Sequence, residues 1–200
     1  NYAPNIKTNE CDVLIAIGMR FDDRVTGNLH TYAKQAKVIH VEIDPAEIDK
    51  NIKTEVAILG DAKHTLRLLT ALVDDKKHPE WVNEFLQARQ KEEEKVIVND
   101  LKPSKPGLTM GEVVRMSTNL TDNKAVVVTD VGQNQMAAAR YARFNQSRSW
   151  VTSGGLGTMG FGLPAAIGAK FGAPSKEVIL FAGDGGIQMT IQELGTIAQE

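Results

Sequence analysis

Short apolar runs that end in glycine or aspartate recur along the first 75 residues and predict β-strands. These runs cover residues 12–18, 37–44 and 55–60. Each is rich in β-branched residues, which suits a strand that is buried on both faces. Helical patterns follow the second and third runs. Asp44 and Pro45 supply an N-cap acceptor and a proline at the first helical position, and residues 62–73 place their apolar side chains on one face.

The same alternation returns from about residue 108 onward. Thr109 and Glu112 form a capping-box pattern ahead of a helix that is predicted to end near Leu120. Strands are predicted at 125–129, 149–152 and 178–181, and helices at 135–144, at 163–171 and from about Met189. Strands that alternate with helices indicate an α/β fold with two doubly wound parallel-sheet domains.

The segment between these regions has a different character. Residues 78–94 have the pattern of a charged amphipathic helix, and residues 102–107 contain two prolines and a glycine. We therefore predict a first domain at 1–75, a connector at 76–107 and a second domain at 108–200.

Composition and charge narrow the class of protein. With 42% hydrophobic residues in 200, the chain can bury one large core or two small ones, and its net charge of -2 predicts no attraction to nucleic acid or acidic lipid. No apolar run approaches the roughly 20 residues needed to span a bilayer. The single cysteine, Cys11, cannot form an internal disulfide, which fits a reducing compartment and a cytoplasmic location.

The ends of the sequence indicate a piece of a longer protein. The chain starts at Asn1 without a methionine and ends at Glu200 within a predicted helix. No basic and then apolar leader opens it, and the presence of a targeting segment on the longer protein stays open.

Three strand-to-helix turns in the second domain have unusual residues, at 130–134, 153–159 and 183–186. In a parallel sheet these turns emerge at the same carboxyl edge, where ligands bind. Glycines let backbone N–H groups approach an anion, so a diphosphate is predicted to lie across the second and third turns. Asp184 would then hold a divalent cation, Mg²⁺, that bridges its carboxylate to the diphosphate.

Each part of this pattern also has an ordinary structural explanation. Gly183-Asp184-Gly185 is a common tight-turn sequence, and Gln133 and Asn134 suit a helix start. The glycines between residues 154 and 162 can serve close helix–sheet packing. The coincidence of all three turns at one sheet edge favours a site.

The strands of the first domain also end in distinctive turns, at 18–22, 42–44 and 60–62. An acid at a strand end beside a glycine suits a nucleotide ribose, because its hydroxyls donate to a carboxylate. The sequence lacks Gly-x-Gly-x-x-Gly, the fingerprint of ordinary dinucleotide-binding domains. On composition alone, Asp22, Asp23 and Arg24 indicate a solvated charged turn.

Two sets of motifs resemble a known family. Residues 153–169, followed by Gly183-Asp184-Gly185, resemble the cofactor-binding domain of thiamine-diphosphate enzymes. Residues 131–136 and 20–27 are similar to acetohydroxyacid (acetolactate) synthases in particular. The family's metal motif ends in an asparagine that would lie beyond Glu200. The family often has histidine where Asn134 stands, which weakens the assignment of that residue.

The resemblance implies three cofactors and assigns residues to each of them. Residues 1–75 would be the later part of a central, FAD-binding (DHS-like) domain, and residues 108–200 the first part of the domain that binds thiamine diphosphate and Mg²⁺. Metal binding is assigned to Asp184. Thiamine diphosphate is assigned to Gln133, Asn134, Gly157, Thr158, Met159, Gly185 and Gly186. FAD, with a structural role and no net redox work, is assigned to Gly18, Met19, Arg20, Phe21, Asp22, Glu42, Ile43, Asp61 and Ala62.

The resemblance also implies an activity. In the family, pyruvate is decarboxylated and joined to a second 2-oxo acid, in branched-chain amino-acid biosynthesis. The full-length protein is expected to be a homodimer or homotetramer, with a small regulatory subunit as a further partner. The activating glutamate would lie upstream of Asn1 and act across the dimer, so the 200-residue chain is expected to have no synthase activity by itself.

Two alternatives stay open. One is another thiamine-diphosphate enzyme of the same build, such as an oxo-acid decarboxylase, a pyruvate oxidase or a glyoxylate carboligase. The other is a nucleotide-binding module that kept the fold without the chemistry.

Overall fold

A computed structural model describes residues 2–102 and 106–199, and they form two compact units that meet in the chain between Glu92 and Glu93. The middle of the predicted turn-rich segment, residues 103–105, lies outside the described residues. Each unit contains a parallel sheet, as the strand pattern predicts.

The first unit is a three-stranded parallel sheet with the order β1-β2-β3. Its strands are β1 (Val13–Ile17), β2 (Lys37–Glu42) and β3 (Val56–Leu59). Its helices are α1 (Tyr2–Glu10), α2 (Asp23–Thr26), α3 (Ala62–Leu72) and α4 (Pro79–Glu92). One face of β1 and β2 packs in a core with the side chains of Ala16, Phe21, Tyr32, Ala33 and Val38.

The helix predicted after β2 is present only as a single 3-10 turn, Pro45–Glu47. The predicted start is correct, because Asp44 accepts a hydrogen bond from the Ala46 N–H and proline follows it. The turn does not extend because Ile48, which follows it, is extended (φ -69°, ψ 131°), and Asp49 is left-handed (φ 57°) with its carboxylate bound to Thr54. Helices α1 and α2 are not predicted by the sequence pattern.

The second unit is a parallel sheet with the order β5-β4-β6. Its strands are β4 (Val126–Thr129), β5 (Trp150–Thr152) and β6 (Val178–Phe181). Its helices are α5 (Val98–Leu101), α6 (Met110–Asn119), α7 (Gln133–Tyr141), α8 (Gly162–Gly172), α9 (Asp184–Met189) and α10 (Leu194–Gln199). A π-helical turn, Glu93–Ile97, precedes α5, and a 3-10 turn, Ile191–Glu193, precedes α10.

Local sequence signals predict one helix start of this unit correctly and another incorrectly. The capping box of Thr109 and Glu112 is confirmed, since each side chain accepts a hydrogen bond from the other residue's N–H. The last helix was predicted from about Met189, which is wrong. Met189 is instead the end of α9, which starts at Asp184 with Gly183 as its N-cap residue, and the last helix, α10, starts at Leu194.

The segment predicted as one connector, 76–107, is divided between the two units. Helix α4 packs on α1, where the Lys7 ammonium lies over the Trp81 ring and binds Glu84. In the second unit, Ile97 joins a core cluster with Tyr141, whose hydroxyl donates to the Asp100 carboxylate. Among the described helices, none has the length and apolar character that crossing a membrane requires.

Candidate cofactor site

The three turns singled out in the second domain leave the same edge of the sheet. β4 lies at the centre, and its last residue, Thr129, pairs in register with Thr152 of β5 and Phe181 of β6. All three strands are parallel, so the turns that follow them emerge side by side. This juxtaposition confirms the sequence-based expectation.

The strand order also creates a crevice. The chain passes from β4 to β5 on one side and then returns to β6 on the other side. Because such crossovers are right-handed, α7 and α8 lie on opposite faces of the sheet. The reversal of direction puts a topological switch point between β4 and β6, which is where ligands bind in folds of this kind.

Asp130, the first residue after β4, links the turns to each other. Its side chain is buried, with 1% exposure. One carboxylate oxygen accepts hydrogen bonds from the N–H groups of Val131 (2.8 Å) and Gly160 (3.2 Å), and the other accepts from the N–H of Gly162 (2.8 Å). The turn after β4 is thereby joined to the glycine-rich turn after β5.

Two glycines are required by the closeness of Asp130. A Cβ added at Gly162 would lie 3.0 Å from the Asp130 carboxylate, and one added at Gly186 would lie 2.5 Å from it. The close-packing explanation therefore accounts for Gly162 and Gly186. It does not account for Gly157, which has open space around it and needs its φ of 64°.

The backbone donors of the glycine-rich turn are mostly engaged within the protein. The N–H of Gly157 donates to the Ser153 carbonyl (2.9 Å), and the N–H of Thr158 donates to the Ser153 hydroxyl (3.0 Å). With Gly160 and Gly162 bound to Asp130, four N–H groups of this segment already have acceptors. Met159 stays largely exposed, and its Cε lies 3.5 Å from where a Gly185 Cβ would be.

Helix α7 starts at Gln133, directly beside the third turn. Its N-cap residue, Gly132, has a φ of 111° and offers no side-chain cap, so the first-turn N–H groups have no capping acceptor. Gln133 is exposed, whereas Asn134 is buried. Asn134 Nδ2 donates to the Val131 carbonyl, and a Cβ added at Gly183 would lie 3.6 Å from Nδ2. The Asn134 Oδ1 is buried and has no hydrogen-bond partner among the residues that the structure describes.

Asp184 is the first residue of α9 and is exposed. Throughout 2–102 and 106–199, no hydrogen bond or ion pair engages its carboxylate, and no cluster of three or more His, Cys, Asp or Glu side chains could hold a metal ion. A metal at Asp184 would therefore take most of its ligands from water and from a bound anion.

A hydroxyl network positions α7 against the sheet. The Thr129 hydroxyl and the Gln135 amide each donate to the Thr152 hydroxyl at 2.7 Å. These three side chains tie α7 to the ends of β4 and β5. Sequence analysis did not identify them.

In the first unit, the turn after β1 is held by a buried histidine. Gly18 has a φ of 62°, and Phe21 has a φ of 51°, which is rare for an aromatic residue. The Phe21 ring is 2% exposed and packs edge-on against His40, whose Nε2 lies 2.8 Å from the Met19 carbonyl. The structure thus puts the Phe21 side chain in the core, although its residue was predicted to contact FAD.

The acidic side chains at the carboxyl edge of the first sheet make hydrogen bonds within their own turns. Asp22 caps α2 and pairs with Arg20 (2.8 Å), and Asp61 caps α3. Glu42 is buried and accepts hydrogen bonds from the N–H groups of Ile43 and Asp44. Of the remaining predicted FAD residues, Ile43 is highly exposed and Ala62 begins α3.

Two family models match the chain. Residues 1–69 match the model described as "Thiamine pyrophosphate enzyme, central domain", and residues 130–200 match "Thiamine pyrophosphate enzyme, C-terminal TPP binding domain". The chain belongs to the thiamine pyrophosphate enzyme family. The carboxyl-edge turns of the second unit thus lie in the family's thiamine-pyrophosphate-binding domain.

Similar proteins within the thiamine pyrophosphate enzyme family are named acetolactate synthase large subunits. The chain is 46% identical to a "Probable acetolactate synthase large subunit" of Methanocaldococcus jannaschii, in an alignment that covers 98% of the chain and 34% of the relative. It is 43% identical to an acetolactate synthase large subunit of Lactococcus lactis, over 98% of the chain and 34% of that protein. The chain spans about a third of the length of these curated relatives.

Two buried residues in this family member were missed by sequence analysis as organisers of the turns. The sequence pattern places Asp130 in the unusual turn at 130–134 but predicts no role for its side chain, and it predicts none for His40. The available signal was a polar residue at the end or in the middle of an apolar strand, where burial requires a hydrogen-bonding partner.

Proposed function

We propose that the chain is part of an acetolactate synthase large subunit. The proposed reaction is decarboxylation of pyruvate and its joining to a second 2-oxo acid, pyruvate or 2-oxobutyrate. The observation that carries the proposal is the meeting of three turns at the switch point of the second sheet, in a segment similar to the large subunits of acetolactate synthases. When bound, thiamine diphosphate would supply the electron sink for decarboxylation.

Asp184 would hold Mg²⁺ in this proposal. Mg²⁺ keeps several waters and is commonly bound through one or two carboxylates together with substrate phosphates. A single exposed carboxylate at the head of α9 fits that preference better than a site built wholly from protein ligands. The metal would then neutralise charge between Asp184 and the diphosphate.

The diphosphate would bind chiefly at the starts of α7 and α9. Uncapped N–H groups at a helix start attract anions, and α7 has no side-chain cap. The N–H groups of Gly157 and Thr158 already donate to Ser153, so these residues would shape the pocket together with Met159. Gln133, Gly185 and Gly186 are the proposed contacts, and the unpartnered Oδ1 of Asn134 is available to a donor on the cofactor.

FAD is proposed for the carboxyl edge of the first sheet. Support comes from the three turns gathered there and from the match of residues 1–69 to the family's central domain. Asp61 uses one carboxylate oxygen as a helix cap, which leaves the other for a ribose hydroxyl. The remaining proposed contacts are Gly18, Met19, Arg20, Phe21, Asp22, Glu42, Ile43 and Ala62.

The assembly and location belong to the same proposal. We propose a homodimer or homotetramer of the full-length protein, with a small regulatory subunit, in the cytoplasm. Because the activating glutamate is expected outside residues 1–200, the isolated chain should form no acetolactate. Formation of acetolactate by the purified 200-residue chain would contradict this part.

The deciding experiment is a titration of the full-length protein with thiamine diphosphate, with and without Mg²⁺. Asp184→Asn should weaken the Mg²⁺-dependent part of the affinity, because a neutral amide oxygen is a poorer ligand for Mg²⁺ than a carboxylate. Asp122→Asn is the matched control, since Asp122 is an exposed acid of the same unit whose carboxylate pairs with Lys124 on the surface. Equal affinity in the wild type and the Asp184 variant would refute the metal assignment.

Product analysis separates the enzyme alternatives. The full-length protein supplied with pyruvate should yield acetolactate. Acetaldehyde would instead indicate a decarboxylase, and acetyl phosphate an oxidase. Absence of thiamine-diphosphate binding would favour the nucleotide-binding module.

A further inference from the structure

Asp130 is a buried carboxylate that the proposed chemistry does not use. Taking a carboxylate out of water is costly unless hydrogen bonds replace its hydration. Here three backbone N–H groups do so, one from its own turn and two from the turn after β5, at 2.8–3.2 Å. Gly186, from the turn after β6, packs against the same carboxylate. One side chain therefore contacts all three turns of the candidate site.

The position of Asp130 also decides which helix start is available to an anion. Gly162 is the first residue of α8, and its N–H donates to Asp130. The amino terminus of α8 is thus already occupied by the protein's own negative charge, in the place where a phosphate would otherwise bind. Both Asp130 oxygens accept N–H hydrogen bonds and the side chain is buried, whereas the carboxylate of Asp184 is exposed.

We propose that Asp130 is the positioning residue of the diphosphate site. It holds the turns after β4 and β5 together, fixes the surface against which Gly186 rests, and keeps the diphosphate away from the start of α8. This inference rests on the proposed function, since it assumes that thiamine diphosphate binds at this edge. Asp130 acts through the turns and does not contact the reacting atoms.

The test uses full-length Asp130→Asn and calorimetric titration with thiamine diphosphate at saturating Mg²⁺. Each oxygen of Asp130 accepts at least one N–H bond, so either orientation of the amide places an NH₂ group against a donor. We expect the dissociation constant to rise about tenfold or more, with one cofactor still bound per subunit. Damage to folding alone would lower the number of sites and leave the affinity of the remaining sites unchanged.

Thr118→Val is the matched control. Thr118 is also buried in the second unit. Its hydroxyl donates towards the Val114 and Arg115 carbonyls of α6 and accepts from the Arg143 N–H beyond the end of α7, away from the three turns. This variant should lose stability and keep the wild-type dissociation constant. An unchanged dissociation constant in Asp130→Asn would overturn the positioning role while leaving the proposed function intact.

Gly162→Ala provides a second route if Asp130→Asn does not fold. The added methyl would crowd the Asp130 backbone and carboxylate at 3.0 Å while the carboxylate itself is retained. It should weaken thiamine-diphosphate binding in the same direction, and wild-type affinity in this variant would equally overturn the inference. A wild-type protein that binds no thiamine diphosphate would refute the proposed function and, with it, the role of Asp130.

Discussion

A single buried polar residue organises each carboxyl edge: Asp130 directly follows β4, and His40 lies within β2. In the second unit Asp130 gathers the turns, and in the first unit His40 holds the Met19 carbonyl while its ring packs on Phe21. Both residues are essentially fully buried. The glycines and exposed acids that stand out in the sequence are arranged around these buried groups.

Asp49 is a residue whose charge is linked to local structure. Hydrogen bonds from the Thr54 N–H and hydroxyl hold the pKa of Asp49 below its ordinary value of 3.8. Because the pKa is lowered by folding, the stabilisation is fully present above the unfolded-state pKa and is lost as the pH falls through the folded-state pKa.

We therefore predict that Asp49→Asn lowers the free energy of unfolding at pH 7 and has a shrinking effect below about pH 4. Asparagine tolerates the left-handed conformation of this position, so the comparison reports on the carboxylate. Urea unfolding from pH 7 to pH 3 measures the difference. Asp74→Asn, at an exposed site, is the control, and a constant difference across this range for Asp49→Asn would contradict the prediction.

At the scale of elements, helix starts follow local signals and helix lengths depend on neighbours. The capping box at Thr109 and the Asp-Pro start at Asp44 form as the sequence indicates. The 3-10 turn after Asp44 nevertheless ends within one turn, because Ile48 is extended and Asp49, bound to Thr54, is left-handed. Neither a helix-start motif nor the spacing of apolar residues predicts where this turn ends.

Thr109→Ala should destabilise the second unit by about 1–2 kcal/mol. The Thr109 hydroxyl accepts the Glu112 N–H and donates to the Asp100 carbonyl, so the change removes the cap of α6 and a link to α5. Denaturant unfolding checks the value. Ser117→Ala in the same helix removes only a hydroxyl bonded to the Val113 carbonyl, and should have little effect. Equal losses in the two variants would argue against the capping role.

At the scale of the whole molecule, β1 is an edge strand with an exposed apolar face. Val13, Ile15 and Ile17 are 44%, 54% and 38% exposed, although they alternate with buried residues as a covered strand would. Such an edge invites association with another chain.

Ile15→Lys should reduce self-association of the 200-residue chain, because a charge on this face penalises contact between copies. Analytical ultracentrifugation across a concentration series would measure the effect. Leu120→Lys is the control, as Leu120 is also highly exposed but follows a helix and lies outside the strand edge. Association that persists unchanged in the Ile15 variant would show that this face is not responsible.

The sequence by itself determined the strands, their parallel arrangement and the three-turn pattern at each edge, because alternation and turn chemistry are local properties of the chain. It also contained the motifs that indicate the thiamine pyrophosphate enzyme family. Only the tertiary structure decided which backbone donors remain available. The N–H groups of Gly157, Thr158, Gly160 and Gly162 look equivalent along the chain, yet Ser153 and Asp130 engage them. Hydrogen bonds between turns depend on where the strands place them in space, and local patterns do not encode that placement.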